Sequence, residues 1–346
     1  MIPVQAIPAK PKNTVQWKQE LSDAIQDPAE LLSFVGLHED ADRLRQAISA
    51  QRLFKLRVTR SFAKRMQYGN PQDPLLLQVL PLGNELQHTQ GFSADPVGDL
   101  HAQKQPGLLH KYHGRVLLIT TGSCAINCRY CFRREYPYSE ASATQSQWQE
   151  SLDYIGADNS ITEVILSGGD PLMLSDKRLD KLICHLEAIP HLKRLRIHSR
   201  LPVVLPSRIT NELVQRLYQS RLQAVMVIHS NHAQELDRDV HLAVDKLQQA
   251  KILCLNQAVL LNNINDSLSA LSDLSERLFE IGVQPYYLHL LDKVSGAAHF
   301  DVPEQRAWQL ITQMRSQLPG YLVPKLVREL AGEPYKTPVH GAYFAP

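Results

Sequence analysis

The feature that most restricts the fold is a repeating beat of short apolar runs that begins at Arg115. They fall at 116–119, 164–166, 195–197, 224–228, 253–261 and 285–290, with amphipathic stretches between them. After a longer first interval they start about thirty residues apart, the length of a strand, a helix and two turns. Continuous apolar strands alternating with helices require cover on both faces, so the pattern predicts a parallel sheet clothed by helices. Six units predict an α/β fold, an open (β/α)6 partial TIM barrel; a doubly wound sheet is the alternative. In both, a site belongs at the C-terminal ends of the strands.

The first hundred residues have a different texture. Apolar residues recur at helical spacing over 17–24, 28–35 and 38–48, and 62–68 predicts a further short helix. Asp27 before Pro28 fits an N-cap with proline at the first helical position. The stretch 70–106 is rich in proline and glycine and predicts a loop or extended connector. The expected organisation is therefore an N-terminal helical region and connector over 1–105, a barrel core over 106–320 and a short C-terminal segment over 321–346.

Composition narrows the partners. The formal net charge is +2 with no basic tract, which gives no reason to expect nucleic acid. No run of 18 apolar residues occurs, and the N-terminus lacks the order of a signal peptide, so a cytoplasmic protein without a membrane partner is expected.

Three of the five cysteines, Cys124, Cys128 and Cys131, crowd into the segment ITTGSCAINCRYCFRREYPY just after the first apolar run. They are too close together for a disulfide framework, and metal ligation is the better reading. Three thiolates on one short loop suit a cubic four-iron cluster, with one iron left open to bind a small molecule. The alternatives are a zinc site that borrows a fourth ligand and a two-cysteine redox pair. Cys184 and Cys254 lie in apolar patterns and are expected in the core.

At these cysteines the chain resembles the radical S-adenosylmethionine (SAM) superfamily, which implies a [4Fe-4S] cluster and SAM. The second apolar run ends in LSGGDPL, where Ser167, Gly168, Gly169 and Asp170 match the superfamily turn that contacts the methionine moiety. From about residue 50 to Pro338 the chain is similar, more narrowly, to the lysine 2,3-aminomutases, through GLLHKYHGR, CRYCFRR, RIHSRLPVVLPSRIT, LNQAVLL, PYYLHLLDKVSGAAHF and GEPYKTP. Such enzymes are isomerases that move an α-amino group to the β-carbon with pyridoxal 5′-phosphate.

The resemblance implies residue roles. Lys336 matches the lysine that holds pyridoxal phosphate covalently, and Arg115 matches a phosphate-binding arginine. Lys111 stands where a second arginine is common, and Gln257 matches a residue near the pyridine ring. Ser199 and Arg200, at the end of the third run, are expected in the cofactor pocket. Arg133 matches the partner of the L-lysine carboxylate, and Asp292 and Glu329 match two acids that bracket its distal ammonium. Glu329 replaces the usual aspartate. The chain also stops without the C-terminal cysteine cluster of longer relatives. In that shorter form it most resembles the bacterial group that makes (R)-β-lysine for elongation factor P, attached by a synthetase-like partner. A flavodoxin-like electron donor is implied as well.

Overall fold

A computed structural model describes residues 13–138 and 148–340. Its centre is a ten-stranded sheet in which each strand pairs with its neighbours in sequence and the two edges do not meet. Strands β3 (Arg115–Thr121), β4 (Glu163–Gly168), β5 (Arg194–Ser199), β6 (Gln223–Ile228), β7 (Leu253–Val259) and β8 (Gln284–His289) are parallel and correspond to the six apolar runs. The open (β/α)6 barrel expected from their spacing is what the chain forms.

The sheet continues beyond those six. β1 (Gln103–Gln105) and β2 (Leu108–Tyr112) extend one edge antiparallel to β3. On the other edge β9 (Lys325–Arg328) adds a seventh parallel strand, followed by antiparallel β10 (Thr337–Pro338). The segment after residue 320 is therefore part of the barrel wall, and the boundary expected there does not divide the sheet. The apolar signal of β9 is only four residues long with an exposed lysine at its start, too little to read as a strand.

Among the described residues, N-terminal helices α1 (Asn13–Ser22), α2 (Pro28–Phe34) and α3 (Ala41–Ala50) precede the barrel, with single turns at Arg60–Ala63 and Pro74–Leu77. Asp27 caps α2 as expected, its carboxylate accepting from Ala29 N at 3.0 Å. The turn at Pro74–Leu77 lies inside the stretch expected to be loop; Asp73 caps it by accepting from Leu75 N and Leu76 N at 2.9 Å each. The helices between strands are α4 (Trp148–Ala157), α5 (Asp176–Glu187), α6 (Asn211–Gln219), α7 (Arg238–Gln249), α8 (Leu268–Glu280) and α9 (Glu304–Gln317). Helix α5 shows why they dock: Leu179, Leu182, Ile183 and Leu186 recur on one face and are all buried.

The main hydrophobic core runs without a break from Trp17 through the barrel to Val339. The boundary expected at 105/106 therefore separates textures of sequence, not separate cores. Trp17 lies 4.7 Å beneath the fully buried Arg208 guanidinium, and Ser207 Oγ donates to Glu20 at 2.8 Å. Cys254 is buried, whereas Cys184 is exposed on α5 beside Asp180 and Arg216, against the expectation of a core position.

Candidate active site

A cavity of ≈ 780 Å³ opens inside the barrel and gathers all sixteen residues singled out in the sequence: the three cysteines, Ser167 to Asp170, Ser199, Arg200, Lys111, Arg115, Arg133, Gln257, Asp292, Glu329 and Lys336. Their separation along the chain makes this convergence informative. Most sit on β-strand C-terminal ends or the loops after them, but Arg115 starts β3; Arg196, within β5, also lines the cavity. The cavity therefore extends down the barrel, beyond the C-terminal mouth where the site was expected.

The cysteine loop follows β3 and is pinned by the N-terminal region. Asn127 N donates to Arg57 O and its side chain to Lys55 O, both at 2.9 Å. Arg129, fully buried, bonds Glu85 through Nε at 2.8 Å and Phe54 O through Nη1 at 2.7 Å. Arg134 reaches the same Glu85 carboxylate at 2.8 Å. A buried acid facing two guanidiniums keeps the loop in one shape, because either cation alone would be stranded without it.

The three thiols line the cavity. Among the described residues no three Cys, His, Asp or Glu side chains converge as they would on a single ion. Three thiols on one short loop suit a polynuclear cluster, in which each would bind a different iron. Burial raises the Cys131 thiol to about 11 and lifts Cys124 well above its ordinary value, so cation binding is what would make them thiolates. Arg200 Nη1 donates to Cys128 Sγ at 2.7 Å, and Arg200 Nη2 is held by Gln78 and Glu235 at 2.6 and 3.1 Å.

The glycine turn after β4 is bonded to the same loop. Gly169 N donates to Thr121 O at 2.7 Å and Asp170 N to Ser123 O at 2.9 Å. Gly168 has φ +120°, and a Cβ on Gly169 would fall 2.5 Å from Ser123 O, so both positions demand glycine. Asp170 has a part the resemblance did not assign. Its carboxylate accepts from Leu172 N, Ser199 Oγ, Arg200 N and Leu201 N at 2.8–3.3 Å. Four donors fill its lone pairs, so the acid ties the end of β4 to the end of β5, and the turn main chain is what remains for a ligand. Burial pushes the Asp170 carboxyl up to about 6 against those bonds.

A second set of residues lines the same cavity. Lys336 Nζ lies 2.7 Å from Glu329 Oε2, and Tyr112 donates to Glu329 Oε1 at 2.6 Å. Burial opposes the charge on Glu329, but Lys336, Tyr112 and Lys111 hold its carboxyl below the ordinary value. Among the described residues the Arg115 side chain has no ion-pair or hydrogen-bond partner; its guanidinium lies 4.6 Å from the Tyr112 ring. Gln257 Oε1 and the Nε2 atoms of His198 and His229 are buried without partners and line the cavity. Buried polar atoms left unpaired are costly, and a polar cofactor seated here would satisfy them. Burial, reinforced by neighbouring cations, lowers the two histidines, His229 to about 4, so both are neutral.

Arg133 and Lys111 share one buried carboxylate that sequence reasoning missed. Asp99 takes Lys111 on Oδ1 and Arg133 Nε on Oδ2, each at 2.7 Å, and Arg133 Nη1 donates to Ser167 Oγ at 3.2 Å. Tyr112 was missed too. Asp99 stands outside the motifs that carry the resemblance, and Tyr112 lies in GLLHKYHGR with no role assigned to it; Arg133 is 34 residues from Asp99 and Glu329 is 217 from Tyr112.

The radical SAM superfamily matches residues 118–267. The chain is 51% identical over 323 residues to L-lysine 2,3-aminomutase of Escherichia coli (strain K12), covering 93% of this chain and 94% of the relative. It is 49% identical to the Haemophilus influenzae L-lysine 2,3-aminomutase, covering 96% and 99%. Among solved structures, Streptococcus suis SuiB bound to S-adenosylmethionine overlays 63% of this chain and 51% of its own, with TM-score 0.45 and 15% identity.

Proposed function

This chain belongs to the L-lysine 2,3-aminomutase family, an isomerase family, and it carries a radical SAM domain; from that premise we propose that it converts L-lysine to (R)-β-lysine with pyridoxal phosphate held at Lys336. The observation that carries the reading is one cavity lined by the three thiols and also by Lys336, Glu329 and Arg115. When bound, the cluster and SAM supply one-electron activation of a C–H bond, and pyridoxal phosphate carries the migrating amine.

The protein's own residues bind and orient. Cys124, Cys128 and Cys131 would hold the cluster, and the Ser167–Gly169 turn would contact SAM, with Asp170 and Ser199 bracing that turn. Arg115, whose side chain has no hydrogen-bond or ion-pair partner among the described residues, and Lys111 would take the cofactor phosphate, where charge-assisted contacts are strong. Gln257, whose Oε1 is unpaired, would lie near the pyridine ring, and Arg200 fixes Cys128 through its hydrogen bond to Sγ. Substrate lysine is read by charge. Arg133 pairs its carboxylate, and Asp292 with Glu329 pairs its distal ammonium, an arrangement that a substrate with a second carboxylate would oppose. The barrel wall keeps water from the reactive centre.

We further propose that the product serves modification of elongation factor P through a synthetase-like enzyme, and that a flavodoxin-like donor reduces the cluster. Resemblance to the shorter bacterial group supports this. The test of the cofactor assignment is spectroscopic. Pyridoxal phosphate reduced onto the protein with borohydride should map to Lys336 by mass spectrometry. Lys336→Ala should lose that adduct and keep the iron–sulfur absorbance; an adduct persisting elsewhere contradicts the reading.

A further inference from the structure

Asp99 lies on a strap that touches every segment bearing a substrate contact. At one end Ser93 N donates to Lys293 O at 2.9 Å and Ser295 N to Ser93 O at 3.0 Å, beside Asp292. Further along, Gly98 at φ +66° packs so closely on Ala331, between Glu329 and Lys336, that a Cβ there would lie 2.9 Å from the alanine methyl. At the other end Asp99 grips Arg133 and Lys111, and Val97 O accepts from Lys111 Nζ at 2.8 Å. The strap is rigid where it matters: Asp95 accepts from Asp99 N and Leu100 N at 2.9 and 3.2 Å. Asp99 is itself 2% exposed, and Arg133 and Lys111 hold its carboxyl below the ordinary value despite burial.

From this arrangement we infer that Asp99 is a positioning residue that sets the span between Arg133 and the Asp292–Glu329 pair, and so selects the substrate by chain length. The inference rests on the substrate reading above. Asp99 holds the Arg133 guanidinium, which lines the cavity, through Nε, while the same strap contacts the loops of Asp292 and Glu329. An amino acid must reach from one end to the other with its carboxylate and its distal ammonium. A chain one methylene short loses one of those contacts.

The test is equilibrium binding of L-lysine and L-ornithine to the cofactor-loaded, SAM-free protein, by calorimetry, in wild type and Asp99→Asn. One methylene is worth about tenfold to two-hundredfold in a well-fitted pocket. Wild type should favour lysine by at least about tenfold, and Asp99→Asn should narrow the ratio to about threefold or less. Asp99→Glu, which keeps the charge and moves it by one methylene, should narrow it as well, and serves if the asparagine variant fails to fold. Iron content and unfolding midpoint identify variants that retain the native fold. A purely structural Asp99 would weaken both ligands equally and leave the ratio intact, which overturns the inference. Failure of the wild type to bind lysine would overturn the substrate reading and the inference together.

Discussion

Asp292 faces the cavity with its carboxyl pushed up to about 7, because burial is the dominant effect. Lys336 and Lys111 oppose the rise, and Glu329 and Asp99 add to it. Near neutrality the group is therefore partly protonated, and an arriving ammonium favours its ionised form. The sign follows: below about pH 7 binding must first remove a proton, so affinity for lysine falls by up to about tenfold per pH unit. The substrate's own distal amine stays charged throughout, since a free lysine side chain titrates near 10.4. Calorimetry from pH 6 to 8 should show tighter binding as pH rises, and Asp292→Asn should flatten the profile. At this scale the cysteines were legible because their signal is local, three thiols within eight residues. Asp99 and Tyr112 were not, because their partners are brought to them only by the fold.

Among the elements, the cysteine loop depends most on segments distant in sequence. Glu85 and Arg129 are both fully buried, with Arg134 on the same carboxylate. Glu85→Ala would leave two buried guanidiniums without their acid, which costs about 3–5 kcal/mol. Thermal unfolding should register that loss, and reconstituted iron per chain should fall with it; an unchanged melting temperature would contradict the clamp. The six parallel strands were readable because strands covered on both faces write unbroken apolar runs. β9 was not, being short and partly polar, and the turn at Pro74–Leu77 was hidden in a proline-rich stretch whose capping aspartate is evident only once the backbone is seen. Asp170 shows the same limit: its motif marked the turn, but its four donors come from main chain and side chain that only the folded β5 end supplies.

Across the whole molecule, the barrel, the N-terminal helices and the last strand share one core, and the cavity within it brings together residues from Phe54 to His340. Spacing predicted the barrel, and family resemblance selected the residues around its cavity; what neither supplied was the strap that ties those loops together. The central claim is that the cysteine loop and the Lys336 set lining this cavity act on one substrate. Its most direct test is anaerobic incubation of the reconstituted protein with L-lysine, SAM, pyridoxal phosphate and dithionite, with chiral mass-spectrometric detection of β-lysine. The account predicts (R)-β-lysine from the wild type and none from Cys128→Ala or Lys336→Ala. Cleavage of SAM with lysine unchanged would contradict it.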